Sequence, residues 1–214
     1  MDDKSPSDTT ISRAFFSNNT ILVARALLGA ILIREEAGTR IKGIISETEA
    51  YRGEEDLACH ARVGRTNRTE VMYGPPGHLY VFFTYGMHWL LNVVTEPRDF
   101  PAAVLIRGII PTGGFELIKE RRQDRPQAQW TDGPGKLCQA LNINGKINGQ
   151  DLFSPNSPIR IIPGDPIPDS CVTIGPRVGL NNVPEPWKSV PWRFRIRHNN
   201  TKLHQYPRSS SAPI

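Results

Sequence analysis

The stretch HLYVFFTYGMHWLLN, His78 to Asn92, constrains the fold more than any other segment. In strand geometry Leu79, Val81 and Phe83 point one way, and Tyr80, Phe82 and Thr84 point the other. One face is therefore core, while the other offers flat rings. The segment reads as two strands meeting at a turn, and its tip is unusual. Hairpin turns that face water favour Asn-Gly, Asp-Gly or a leading Gly, whereas this one carries Tyr85-Gly86-Met87-His88-Trp89. Tyr-Gly suits a two-residue loop poorly, so a longer loop is expected. The register of Asn92 against Tyr80 or Leu79 stays open.

The remaining chain predicts more strands than helices. Ile31–Glu36 and Arg40–Tyr51 form a strand pair joined around Gly38, and Ala102–Ile110, Ile159–Ile162 and Trp192–Arg197 are further strands. Thr20 is placed to cap a short helix that ends at Gly29, with other short helices at Gly114–Arg122 and Gly135–Leu141. Nineteen prolines and eighteen glycines in 214 residues argue for irregular connections rather than a helical bundle. No repeat or internal linker divides the chain. The expectation is one α+β domain over residues 1–214: a curved antiparallel sheet, flanking short helices and a protruding hairpin. The polar, Pro/Ser-rich ends, about 1–10 and 205–214, are expected to be flexible.

Composition narrows the partner. The net charge of +5 favours a polyanion or an anionic surface. Cys59, Cys138 and Cys171 lie far apart without a CxxC pair, which argues against a zinc site and against a secreted disulfide framework. No metal and no cofactor is expected. No apolar run reaches transmembrane length and nothing resembles a signal peptide, so a cytosolic protein without a membrane partner is expected.

The richest chemistry lies in SETEAYRGEEDLACHARVGR, Ser46 to Arg65. Alternation puts Glu47, Glu49 and Tyr51 on one face of a strand end, where a carboxylate beside a ring is a plausible general base next to a stacking surface. A solvated edge strand followed by an acidic loop would look the same locally. His60 adjoins Cys59, but neighbouring residues seldom chelate one ion and no second pair follows. Arg65 and Arg68 either meet phosphates or stay solvated. An exposed tyrosine beside glycine, in a basic protein, is the sort of wedge that enters between base steps.

Together these segments resemble the alkyladenine (3-methyladenine) DNA glycosylase family. The matching stretches are ETEAY (47–51), HAR (60–62), HLYVFFTYGMHWLLNVV (78–94), AAVLIRGIIP (102–111), GPGKLCQAL (133–141) and PRVG (176–179), in the family's order. The resemblance implies a monofunctional enzyme of base excision repair that acts on double-stranded DNA carrying alkylated or deaminated purines. It implies Glu49 as the general base and Arg107 near the catalytic water. Tyr51, His60, Phe82 and Asn92 would line the base pocket, with Asn92 selecting against the exocyclic amino group of guanine. Tyr85 would fill the gap left by the flipped nucleotide, with Met87 beside it. Lys136 and Arg177 would lie near the DNA backbone, and Arg65, from its basic segment, is a further candidate for that contact. Phe82 departs from the tyrosine often found there, which keeps a ring but removes a hydroxyl. A monomer is the default for an enzyme that scans DNA, cytoplasmic and nucleoid-associated in a bacterium or nuclear in a eukaryote. The rival reading is a non-catalytic minor-groove damage-binding protein, against which Glu49 counts because a bare acid facing DNA repels phosphates.

Overall fold

Strand β2 (Thr39–Arg52), fourteen residues long, organises the sheet. Along one edge it pairs with β1 (Ile31–Glu36), and along the other with β5 (Ala102–Gly113). The computed structural model describes residues 10–123 and 125–197, so the expected flexibility of the two ends lies outside the described residues. Ala37 and Gly38 connect β1 to β2, both at positive φ (47° and 78°), as a primed hairpin turn requires.

The hairpin of β3 (Leu79–Thr84) and β4 (His88–Val94) adds to β5, and β6 (Ile159–Ile162) adds to β1. Where β1 ends, β8 (Arg193–Ile196) takes over its edge against Glu47–Glu49, and β7 (Val172–Gly175) pairs with β8. All these pairings are antiparallel, which gives an eight-stranded α+β sheet.

The helices are short: α1 (Arg13–Phe16), α2 (Thr20–Ala26), α3 (Phe115–Arg122) and α4 (Pro134–Ala140). Asn19, not Thr20, caps α2 by accepting the Ile21 N–H, while the Thr20 hydroxyl bonds Glu96. The helix stops at Ala26, before Gly29 turns the chain at φ 90° into β1. Four residues long, α1 and β7 are too short to carry a periodic signal.

Alternation splits the apolar residues between two clusters. Leu79, Val81, Leu91, Val93, Val104 and Ile106 join residues of α2 and α4 in the main core. Fully burying each such side chain contributes about 1.5–3 kcal/mol, so this face supplies most of the stability. The opposite face packs Tyr80, Val94 and Ala103 against Cys59, Ala61, Met72 and Tyr73. The last four come from the long connection between β2 and β3, held by 3-10 turns at His60–Val63 and Glu70–Tyr73.

Two irregularities meet in the β2–β5 ladder. Ile45 faces Ile109, Glu47 faces Gly108 and Thr48 faces Ile106, so Ser46 and Arg107 each lack a directly opposed residue. Such a residue is re-aimed out of the regular ladder.

Candidate active site

From Glu47 onward the expected alternation holds. Thr48 and Ala50 turn into the core, with the Thr48 hydroxyl on the Ala24 carbonyl, while Glu47, Glu49 and Tyr51 face the other way. Glu49 has no exposed surface. Its Oε1 accepts the Val178 N–H at 2.7 Å and its Oε2 accepts the Tyr51 hydroxyl at 2.9 Å. Arg107 places Nη1 3.4 Å from that Oε2 and donates Nε–H to Glu47 Oε1 at 2.8 Å. Arg193 Nη1 stands 3.5 Å from the same Glu47 oxygen.

The electrostatics follow from this packing. Burial pushes the Glu49 carboxyl above the ordinary carboxylate range, against the pull of Arg107, the Val178 N–H and the Tyr51 hydroxyl. Burial also opposes the charge on Arg107, but Glu49 and Glu47 more than offset it and raise its pKa. Burial, then the Glu49 charge, keeps the Tyr51 phenol protonated and hence a donor. A carboxylate moved toward neutrality and fixed by three groups is what general-base chemistry needs.

In front of these residues opens a cavity of about 430 Å³, within the ~300–1,000 Å³ usual for small-molecule sites. Glu49 lies behind its wall: Tyr51, Arg107 and Val178, the three residues bonded to it, line the cavity. Phe82 lies 4.4 Å from the His60 ring, edge to face, and 5.4 Å from Tyr80. His60 Nδ1 is 2.9 Å from the Tyr80 hydroxyl, and His60 Nε2 is 3.3 Å from Arg68 Nη2. Arginine can only donate, so Nε2 is the acceptor and Nδ1 carries the hydrogen given to Tyr80. Burial, then Arg68 and Arg62, push the His60 pKa down to about 4, so the ring is neutral at pH 7. The hairpin register is settled with Asn92 opposite Tyr80, both buried on the cavity side, and Asn92 Nδ2 donates to the Tyr80 carbonyl at 3.0 Å.

The hairpin tip spans three residues, Tyr85 to Met87, because Thr84 still pairs with His88. Tyr85 and Gly86 have φ of 52° and 67°, and the Met87 N–H returns to the Thr84 carbonyl. A tyrosine in the left-handed region is held there at a cost of about 1–2 kcal/mol. Tyr85 is 79% exposed and Met87 is 68% exposed, while Tyr85 also borders the cavity. The expensive conformation presents a flat ring to solvent beside a pocket of ring size.

The expected backbone contacts fare differently. Lys136 borders the cavity and pairs with Asp132 at 2.9 Å. Arg65 lies over the Tyr73 ring and pairs with Asp99, outside the cavity lining. Arg177 must be corrected. Its guanidinium has no exposed surface and is bonded to the equally buried Asp56, so it cannot reach a phosphate in this arrangement. Among the described residues no group of three His, Cys, Asp or Glu side chains is placed to hold a metal ion. Tyr80 and Val178 carry more of the site than their sequence suggested. Alternation already put Tyr80 on the ring face with Phe82, but nothing in the letters marks a backbone N–H such as that of Val178.

The sequence matches the methylpurine-DNA glycosylase family over residues 14–200. It is 44% identical over 187 residues to a protein of Myxococcus xanthus, covering 87% of this chain and 90% of that one. A protein of Carboxydothermus hydrogenoformans is 41% identical over 189 residues, with 88% and 96% covered. One from Chlamydia pneumoniae is 46% identical over 185 residues, with 85% and 92% covered. All three are provisionally named 3-methyladenine DNA glycosylases.

Proposed function

The chain belongs to the methylpurine-DNA glycosylase family and is a DNA glycosylase, and on that premise we propose that it removes alkylated purines from duplex DNA through water activated by Glu49. The observation that carries the proposal is the Glu49 carboxylate, fixed by Tyr51, Val178 and Arg107 directly behind an aromatic cavity. A glycosidic bond is out of reach inside the base stack, so the nucleotide must leave it, at a cost of a few kcal/mol. Tyr85, exposed on its turn, fills the emptied step and offsets part of that cost.

The extruded base enters among Tyr51, His60 and Phe82. Alkylation at N3 or N7 leaves a purine cationic, and rings favour a cation by about 0.5–2 kcal/mol. Neutral His60 adds a ring without adding a charge. Asn92, buried and tied to the Tyr80 carbonyl, cannot give way to an added 2-amino group, which selects against unmodified guanine. Phe82 stacks but donates no hydrogen bond, so the lesion range is set by charge and shape.

As the base departs, positive charge develops on the sugar, and the Glu49 carboxylate stabilises it while taking a proton from the attacking water. Water approaches Glu49 from the cavity side, where Tyr51, Arg107 and Val178 form the wall in front of it. An already cationic base is a good leaving group and lessens the need for a second, acidic carboxyl. Lys136, on the cavity border, is tied to Asp132 at 2.9 Å, which favours base removal without strand cleavage.

The test is a time course of free base released from a duplex carrying 3-methyladenine or hypoxanthine at fixed salt. Turnover supports the proposal; tight binding without release supports the non-catalytic reading.

A further inference from the structure

Arg177 and Asp56 form an ion pair with no exposed surface on either side chain, outside the reacting groups. Both terminal nitrogens of Arg177 are fully used. Nη1 donates to Asp56 Oδ2 at 2.5 Å and to the Ala50 carbonyl at 2.9 Å, and Nη2 to Asp56 Oδ1 at 2.8 Å and the Trp187 carbonyl at 3.2 Å. The guanidinium carbon lies 4.7 Å from the Tyr51 ring centre and 5.1 Å from that of Trp192. Asp56 is fixed in turn by the N–H groups of Arg52 and Ala58. Replacing a buried ion pair with apolar residues is often neutral or stabilising, so stability alone explains this one poorly.

Its place in the chain suggests a better reason. Ala50 stands between Glu49 and Tyr51, and Arg177 directly precedes Val178. Val178 is 46% exposed, so its own packing does little to fix its N–H. Arg177 therefore staples the segment that carries one Glu49 donor to the strand that carries the other, and stacks on the ring of that second donor.

We propose that Arg177, locked by Asp56, is a positioning residue that holds both hydrogen-bond donors of Glu49, the Val178 N–H and the Tyr51 hydroxyl. This rests on the reading of Glu49 as the general base. Both donors favour the carboxylate form, so loosening them makes Glu49 harder to ionise. The charged and titratable groups facing Glu49 are Glu47 and Tyr51 from β2 and Arg107 from β5, with Arg193 of β8 on Glu47.

Arg177→Lys keeps the charge but loses the planar fork. Single-turnover base release should fall about ten- to a hundredfold, the scale of a small misplacement of reacting groups. The acid limb of its pH profile should move to higher pH, while affinity for a duplex holding a stable abasic-site analogue is retained. A uniform loss at every pH, with the limb unmoved, overturns the proposal. Trp192→Leu removes one stacking face without stranding a charge, should move the limb the same way, and decides the matter if Arg177→Lys does not fold. Wild-type protein that releases no base overturns the reading of the site itself; wild-type release with a fixed limb in the folded variants overturns the positioning role alone.

Discussion

Arg107 Nη1 lies 3.4 Å from Glu49 Oε2, and the two meet where β5 slips out of register with β2. The slip turns Arg107 toward two carboxylates, with Glu47 held at 2.8 Å. It is thus a counter-charge for the pair, and in the proposed function it also stands beside the reacting atoms.

Arg107→Ala takes the counter-charge from buried Glu49 and leaves Glu47 to Arg193 at 3.5 Å, and should destabilise the fold by about 3–5 kcal/mol at neutral pH. The deficit should shrink toward pH 5, since protonating a carboxylate relieves it. Denaturant unfolding at the two pH values checks this, and an equal loss at both would contradict it.

Glu49 itself sets a pH trend. Its folded pKa lies above the unfolded value, so its contribution is present below the unfolded pKa and is lost as pH rises through the folded one. Relative to wild type, Glu49→Gln should therefore gain thermal stability as pH rises beyond the ordinary carboxylate range. A constant difference across pH would show that burial does not act on Glu49 as described.

His60 works in the opposite direction. Its folded pKa of about 4 lies below the 6.5 of the free side chain, so the stability it contributes is complete above 6.5 and lost as pH falls to about 4. His60→Gln should flatten the stability–pH curve in that window. The ring resonances should titrate near 4, and a midpoint near 6.5 would contradict the burial and the arginine repulsion that keep the ring neutral.

Much of this was legible in the sequence, for identifiable reasons. The long strands declared themselves through alternation, and Glu47, Glu49 and Tyr51 share a face because that alternation continues past the slip at Ser46. Tyr85 stood out because a ring at a turn tip has no structural use. The Asn92 register was not legible, because two-residue and three-residue loops differ by one position that a Tyr-Gly-Met tip does not fix. Arg177 was misplaced for another reason: its expected DNA contact came with the PRVG resemblance, and the motif does not show the partner that buries it. Asp56 lies 121 positions away in sequence.

Tyr85→Gly separates wedge from fold. Glycine suits a φ of 52°, so stability should hold or rise slightly. Affinity for damaged duplex should fall by about 1–3 kcal/mol, the scale of aromatic–base stacking. Unchanged affinity would leave the tip without a role on DNA.

Lys136→Ala should weaken DNA binding evenly across sequences and lower the salt slope by about 1, the loss of one phosphate contact. No borohydride-stable adduct should form with either protein. An adduct with wild type that disappears in the variant would make Lys136 a nucleophile instead.

The central claim is that Glu49 performs the hydrolysis. Single-turnover release of 3-methyladenine from duplex DNA by wild type and Glu49→Gln tests it most directly, with binding to the same duplex measured in parallel. Binding should be retained, and release should fall by about 10²–10⁴, the usual contribution of a general base. Release by Glu49→Gln at the wild-type rate would contradict it.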